Sequence, residues 1–301
     1  MLKPKGLTIT IVFQASSLNY GEGLGNRSSL KKLTRGNGEA YTYLSRQAIG
    51  FNITQQMGID NTPIGLDGSV LQYDPNTTIL DYPEIDLFGY MKTSKENTKK
   101  RNAVVRLSNA ISLEPFSLDM DFLTNLGLLN RYNSQHKEKK DGGNISQSEK
   151  HMSFYVYTIA IDLEKVGIDI NDVGENGQAL EVSNKEKADR ITKLLDTIKF
   201  LSRDIKGSRE QLMPLFIIGG VYDLKNPFFI DAMKLDKEYN LSINTITDIL
   251  DLDEEIKSNT KVGLINGYFK NEEDLKTSLN CVSVGEVFNK LKEEVRQYYL
   301  G

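Results

Sequence analysis

The chain has one cysteine, two histidines and no run of about 18 apolar residues among its 301 positions. The lone Cys281 rules out an internal disulfide framework and makes a reducing cytoplasm the expected setting. Lacking a long apolar run, the chain is expected to have no membrane span. Its opening, MLKPKGLTITIVFQASS, alternates threonine with apolar residues, which is a strand pattern and not the unbroken core of a signal peptide. His136 and His151 stand at no metal-ligand spacing to each other or to Cys281. Neither GxSxG, GxGxxG nor a GKS or GKT triplet occurs, so nucleophile-elbow, dinucleotide and Walker chemistry find no support. The expectation is therefore no catalytic residue, no metal and no cofactor.

Charge is uneven where it is present. The net value is -4, yet residues 1–65 carry seven basic and three acidic side chains, and residues 223–301 carry ten basic and fifteen acidic. Such asymmetry suits a nucleic-acid face opposed to an acidic face for a partner or a second copy. Two ordinary solvated surfaces would give the same numbers.

The densest signal runs from Asn19 to Gln47. Gly21, Gly23, Gly25, Gly36 and Gly38 let backbone amides approach a ligand. Between Asn26 and Arg46 stand Arg27, Lys31, Lys32, Arg35 and Arg46 against one acid, Glu39. A flexible, amide-rich, positive loop suits a polyanion, of which a phosphodiester backbone is the commonest. Each part also has a bland counterpart: GEGLGN as a solvent loop, and Arg27 and Arg46 as ion-pair residues.

Alternation over Leu7, Ile9, Ile11 and Phe13 predicts a half-buried first strand. Ala40, Leu44, Ala48 and Phe51 recur at helical spacing and predict a helix from Glu39 to Met57, started by Asn37 or Gly38. Residues 66–150 are broken by Gly, Pro, Asn and Asp and read as one inserted region. Within it NSQHKEKKDGGNISQSEKH has the composition of a mobile loop. SFYVYTIAIDL reads as a strand, and Ser183 with Glu186 opens an amphipathic helix over Ile191, Leu194, Leu195, Ile198 and Leu201. PLFIIGGVY, LSINTITDIL and KVGLINGYF read as further strands, and a last helix starts near Ser283. The order is α+β, most economically a ferredoxin-like β-α-β-β-α-β core of residues 1–65 and 151–301. SFYVYTI lacks the glycine of an RNP1 pattern, so loops and not the open sheet are expected to hold RNA.

Further basic clusters lie at Lys92, Lys95, Lys99, Lys100, Arg101 and Arg106, and at Arg131, Lys137, Lys139 and Lys140. As for Lys206 and Arg209, helix C-terminal charges complementing the dipole would explain them as fully as ligand contact.

GEGLGNRSSLKKLTRGNGEAYTYLSRQAI, followed by IDLFGYM, RLSNAISLEPF, FYVYTIAIDLEKVG and GSREQLMPLFIIGG, resembles the DevR-type backbone subunit of type I CRISPR interference (Cascade) complexes, in the RAMP superfamily. The resemblance covers nearly the whole chain. It implies a modified RNA-recognition-motif palm, an inserted finger region at residues 66–150 and a thumb hairpin. It also implies a non-catalytic protein whose copies line up along CRISPR RNA and present its spacer to target DNA beside other Cascade subunits. Matched motif by motif, it puts RNA on Asn26, Arg27, Lys31, Lys32 and Arg35, and on Ser45, Arg46 and Gln47. A second basic wall would be Lys99, Lys100, Arg101 and Arg106, with a turn at Lys206 and Arg209. Some members of the superfamily process precursor CRISPR RNA, and His136 and His151 are the residues such an endoribonuclease would use.

Overall fold

Strand β1 (Gly6–Ser16) is the spine of the fold in the computed structural model, which describes residues 3–93, 98–174 and 176–301. The strand forms as expected but is not half-buried. Leu7, Ile9, Ile11 and Phe13 enter one apolar core, Val12 enters another on the opposite face, and Thr8 and Thr10 are buried too, because the sheet is covered on both sides. The chain turns at Ser17, with φ of 56°, and forms β2 (Arg27–Ser28), β3 (Lys32–Thr34) and β4 (Ala40–Leu44) before helix α1 (Arg46–Met57). The helix thus begins later than its spacing predicts. Ala40–Leu44 pairs with β3 instead, and α1 buries Ile49, Ile53 and Met57 while Phe51 faces out.

Hairpins β5 (Ile64–Asp67) with β6 (Val70–Tyr73), and β7 (Tyr90–Thr93) with β8 (Thr98–Arg101), flank helix α2 (Pro83–Phe88). Next come β9 (Val105–Leu107) and β10 (Ala110–Ser112). An arm follows, made of β11 (Asp119–Thr124), α3 (Leu126–Gln135) and β12 (Ile145–Lys150). Two expectations change here. The stretch read as a mobile loop, residues 133–151, contains the last three residues of α3 and all of β12. Residues 66–150 are not one insertion either, because β9 and β10 hydrogen bond to β13 (Met152–Asp162) inside the main sheet. Lys95 lies outside the described residues.

After β13 come the hairpin β14 (Ile168–Val173) and β15 (Ala179–Glu181), helix α4 (Asn184–Lys199), and the hairpin β16 (Ser202–Ile205) and β17 (Ser208–Gln211). Strand β18 (Phe216–Tyr222) precedes α5 (Ile243–Leu250), α6 (Glu254–Asn259), β19 (Lys261–Leu264), α7 (Glu272–Leu279), β20 (Val282–Ser283) and α8 (Val284–Leu300). Both serines cap their helices: Ser183 and Ser283 accept from Glu186 N and Glu286 N, while the glutamate side chains pair with Arg190 and Lys290 one turn on. LSINTITDIL is largely helix α5 and not a strand. Its apolar Ile243, Ile246, Ile249 and Leu250 recur every three or four residues and pack on the second core.

The strands order as β20-β19-β18-β1-β13-β10-β4-β3, with β9 also on β13. Around β1 the pairing is antiparallel throughout: β18 on one side, then β13 and β10 on the other. Helices α1, α4 and α8 supply side chains to the core on one face, and the segment carrying α5, α6 and α7 to the core on the other. This mixed α+β sheet leaves the β1–β2 loop, the start of α1 and the β16–β17 hairpin together at one edge. No helix among the described residues is long and apolar enough to cross a membrane.

Candidate nucleic-acid interface

Helix α1 begins in a cleft, and its first turns form the floor. Ser45 Oγ accepts from Ala48 N at 3.4 Å and from Asn19 Nδ2 at 3.3 Å. No acid stands in the first turn, so the partial positive charge of the helix start remains available to an outside anion. Arg46 and Gln47 are exposed. The Arg46 amide donates to Asn109 Oδ1 at 2.9 Å, while its guanidinium meets no carboxylate among the described residues.

One wall is the glycine-basic loop. Gly21 N donates to Ser29 O and Lys31 N to Asn19 O, each at 2.8 Å, which folds the loop back on itself. The other wall is the β16–β17 hairpin, fastened to α1 by Gln56. That side chain donates to Ser202 O at 2.7 Å and accepts from Ser202 N at 3.2 Å. Arg203 Nε donates to Leu18 O at 2.9 Å. The cleft encloses about 880 Å³, and Lys31, Ser45, Gln47 and Arg209 all line it. Residues from three separate segments are thereby brought together.

Arg209 forks Asp204, Nε to Oδ1 at 2.7 Å and Nη2 to Oδ2 at 2.9 Å. The hydrogen bonds from Arg209 hold the Asp204 carboxyl below its usual range. Both side chains are largely exposed, and such a pair is worth little in water, so a phosphate can take over the guanidinium. Lys31 has no carboxylate partner among the described residues.

The rest of the loop is more committed. Glu149 on β12 is almost wholly buried and bonds Lys32 Nζ at 2.5 Å, Leu30 N at 2.9 Å and Arg27 Nη2 at 3.3 Å. Burial alone would push its carboxyl up; the hydrogen bonds from Lys32 and Leu30 and the charges of Lys32 and Arg27 outweigh this and lower it. Lys32 also sits 4.2 Å from the Phe116 ring centroid, so it serves the loop's own structure. Arg27 is half exposed, and Asn26 accepts from Gln147 N at 2.9 Å through its carbonyl. Arg35 lies over the Tyr41 ring at 4.3 Å. Lys206, at φ of 47° in the β16–β17 turn, bonds Ser28 Oγ at 2.6 Å and Ser148 Oγ at 3.2 Å. It is a clasp between hairpin, loop and arm, and neither it nor Arg209 caps a helix.

The second basic cluster is not a free wall. Arg101 is buried on Asp86 at 2.6 Å, Lys99 bonds Asp172 at 2.6 Å, and Arg106 bonds Asp162 at 3.0 Å. Lys92 is buried as well, with its Nζ on Thr77 O at 2.5 Å. Of the expected four, Lys100 alone is exposed without a carboxylate partner among the described residues. These cations compensate buried acids, a role that sequence clustering does not reveal.

The two histidines have unrelated settings. His151 is buried, Nδ1 2.8 Å from Thr42 Oγ1, and burial lowers its pKa despite the nearby Glu114 charge. His136 stacks on Tyr132 at 4.0 Å at the exposed end of α3. Among the described residues no group of three or more His, Cys, Asp or Glu is placed to hold a metal ion. Glu149, Gln56 and Arg203 were not anticipated. The one trace of Glu149 in the sequence is the period of two in ISQSEK, which places it beside Gln147 and Ile145 on one face of a strand.

A family model described as CRISPR-associated negative auto-regulator DevR/Csa2 matches residues 66–241, more than half of the chain. No match is found among curated proteins. Among solved structures, a chain of a "CRISPR RNA-guided surveillance complex, pre-nicking" is similar with a TM-score of 0.59 at 11% identity, over 96% of this chain and 100% of that one. A chain of a "CRISPR RNA-guided surveillance complex" gives 0.56 at 12% identity, over 96% and 99%. At these identities the likeness is one of fold.

Proposed function

Because this chain belongs to the DevR/Csa2 family of CRISPR-associated proteins, we propose that it is a non-catalytic backbone subunit of a type I Cascade complex. Its copies assemble along the guide-RNA spacer and hold it for pairing with target DNA. The observation that carries this reading is the cleft at the start of α1, where Lys31, Ser45, Gln47 and Arg209 converge beside the exposed Arg46. Cations of that kind grip phosphates whatever the base sequence, as a guide of variable sequence requires.

The order β18-β1-β13-β10, all antiparallel, supports reading the centre as a ferredoxin-like palm of the RNA-recognition type. On the same reading the hairpins of residues 64–101 and the arm are the fingers. Leu66 and Leu71 on one hairpin and Phe122, Leu123 and Leu128 on the arm are exposed apolar side chains suited to contact between copies. Head-to-tail contacts do not close, so they build a filament whose length the RNA limits. A scaffold must grip many phosphates and leave them intact, and the separate settings of His136 and His151 favour that over cleavage.

The test is to mix the full chain with labelled RNAs of increasing length and size both RNA and particles. Intact RNA with particle mass rising in steps is expected. Shortened RNA, restored to full length by changing His136 or His151, would make the protein an endoribonuclease.

A further inference from the structure

Phe51 departs from the usual division of an amphipathic helix. Helix α1 sends Ile49, Ile53 and Met57 inward, whereas the Phe51 ring is 59% exposed. Gln47, Phe51 and Gln55 follow one another at intervals of four, so they form a single stripe. All three are exposed and all three line the cleft. The floor is therefore an aromatic ring between two amides, in a cleft that Lys31 and Arg209 also line. Phosphate contacts alone would leave the ring in water without a role. A base, by contrast, offers a face to stack on the ring, an edge for the amides and flanking phosphates for the cations.

We propose that Phe51 is a stacking platform for one unpaired base of a bound RNA strand, with Gln47 and Gln55 at the base edge. The proposal rests on reading this chain as an RNA-binding subunit and adds a base seat to its phosphate grip. A volume of about 880 Å³ accommodates a nucleotide. Stacking accepts any base, since each has a π face, so the seat is compatible with a guide of any sequence.

The chain contains no tryptophan, so F51W introduces a single reporter at the seat. The full-length protein is titrated with labelled oligouridine of about 8 nucleotides and with an abasic oligomer of the same length. F51L is expected to weaken oligouridine binding roughly 10-fold or more, while F51Y and F51W retain it. The F51W emission should be quenched by oligouridine and not by the abasic strand. Thermal midpoints should not move, because the ring is exposed. Wild-type affinity in F51L overturns the seat; if that variant also loses self-association without RNA, the stripe contacts a second copy instead. Lys31→Ala separates the layers. Weakened binding there with normal F51L leaves the phosphate grip standing and removes the base seat. A wild-type chain that binds no RNA overturns both.

Discussion

Arg190 Nη1 lies 2.8 Å from Asp86 Oδ2 across 104 residues of sequence, and both side chains are buried. The other oxygen, Asp86 Oδ1, takes Arg101 at 2.6 Å, and the carboxylate also accepts from Gly167 N at 2.9 Å. Helices α2 and α4 and strand β8 are pinned by one carboxylate. Asp86→Ala would leave the Arg101 guanidinium without its counter-charge and Arg190 with only the half-exposed Glu186, 2.9 Å from its Nε, and is expected to cost about 3–5 kcal/mol. Urea unfolding measures it, and an unchanged midpoint would refute the assignment.

Phosphate contact in the cleft has a salt signature. For single strands the slope of log affinity against log salt is about -0.7 per neutralised phosphate. Replacing Lys31 and Arg46 together should flatten it by roughly 1.4. Lys99→Ala and Arg106→Ala should leave the slope alone, because their charges already face Asp172 and Asp162. Equal slopes for all variants would remove the cleft from the interface.

Glu149 predicts a pH dependence. Its folded pKa lies below the ordinary 4.5, so the unfolded chain takes up the proton first as pH falls. The stabilisation is fully present above the unfolded value and is lost as pH drops through the folded one. Wild type should exceed E149Q in stability at neutral pH, and the gap should close in acid. A gap that persists below the carboxylate range would show that the ion pairs to Arg27 and Lys32 contribute nothing.

Two unrelated spacer RNAs of equal length should bind within a few-fold of each other, since stacking and phosphate contacts are blind to base identity. Filter binding at fixed salt decides it. A preference of about 10³ would point to direct base readout.

Elements governed by local rules were legible in the sequence. The capping serines of α4 and α8 bond within three residues, and the stripe from Ile191 to Leu201 and the alternation of β1 are periods carried within one segment, whatever each packs against. Ala40 and Leu44 misled because strand and helix periods coincide over so short a span, and pairing with β3 and β10 decided between them. The site was half visible: Lys31, Ser45, Gln47 and Arg209 could be named, but not their meeting. Arg101 and Arg106 looked like ligands for the same reason, because Asp86 and Asp162 reach them through the fold and not through sequence proximity.

Helix α3 buries none of its residues, and the arm meets the rest of the chain through its root. There β12 runs parallel to β2 at Gln147 and Ser148, Glu149 holds Arg27 and Lys32, and Lys206 ties Ser148 to Ser28. Root and loop therefore form a single lever. On the proposed reading, a contact that holds the arm's far end is expected to reduce the conformational freedom of the loop at its fulcrum, and RNA seated on the loop to steady the arm in return. Linkage requires the two effects to be equal in free energy. If copies assemble as proposed and dock through the arm, each would prepare its neighbour's loop for RNA, and assembly along the guide is then expected to be cooperative.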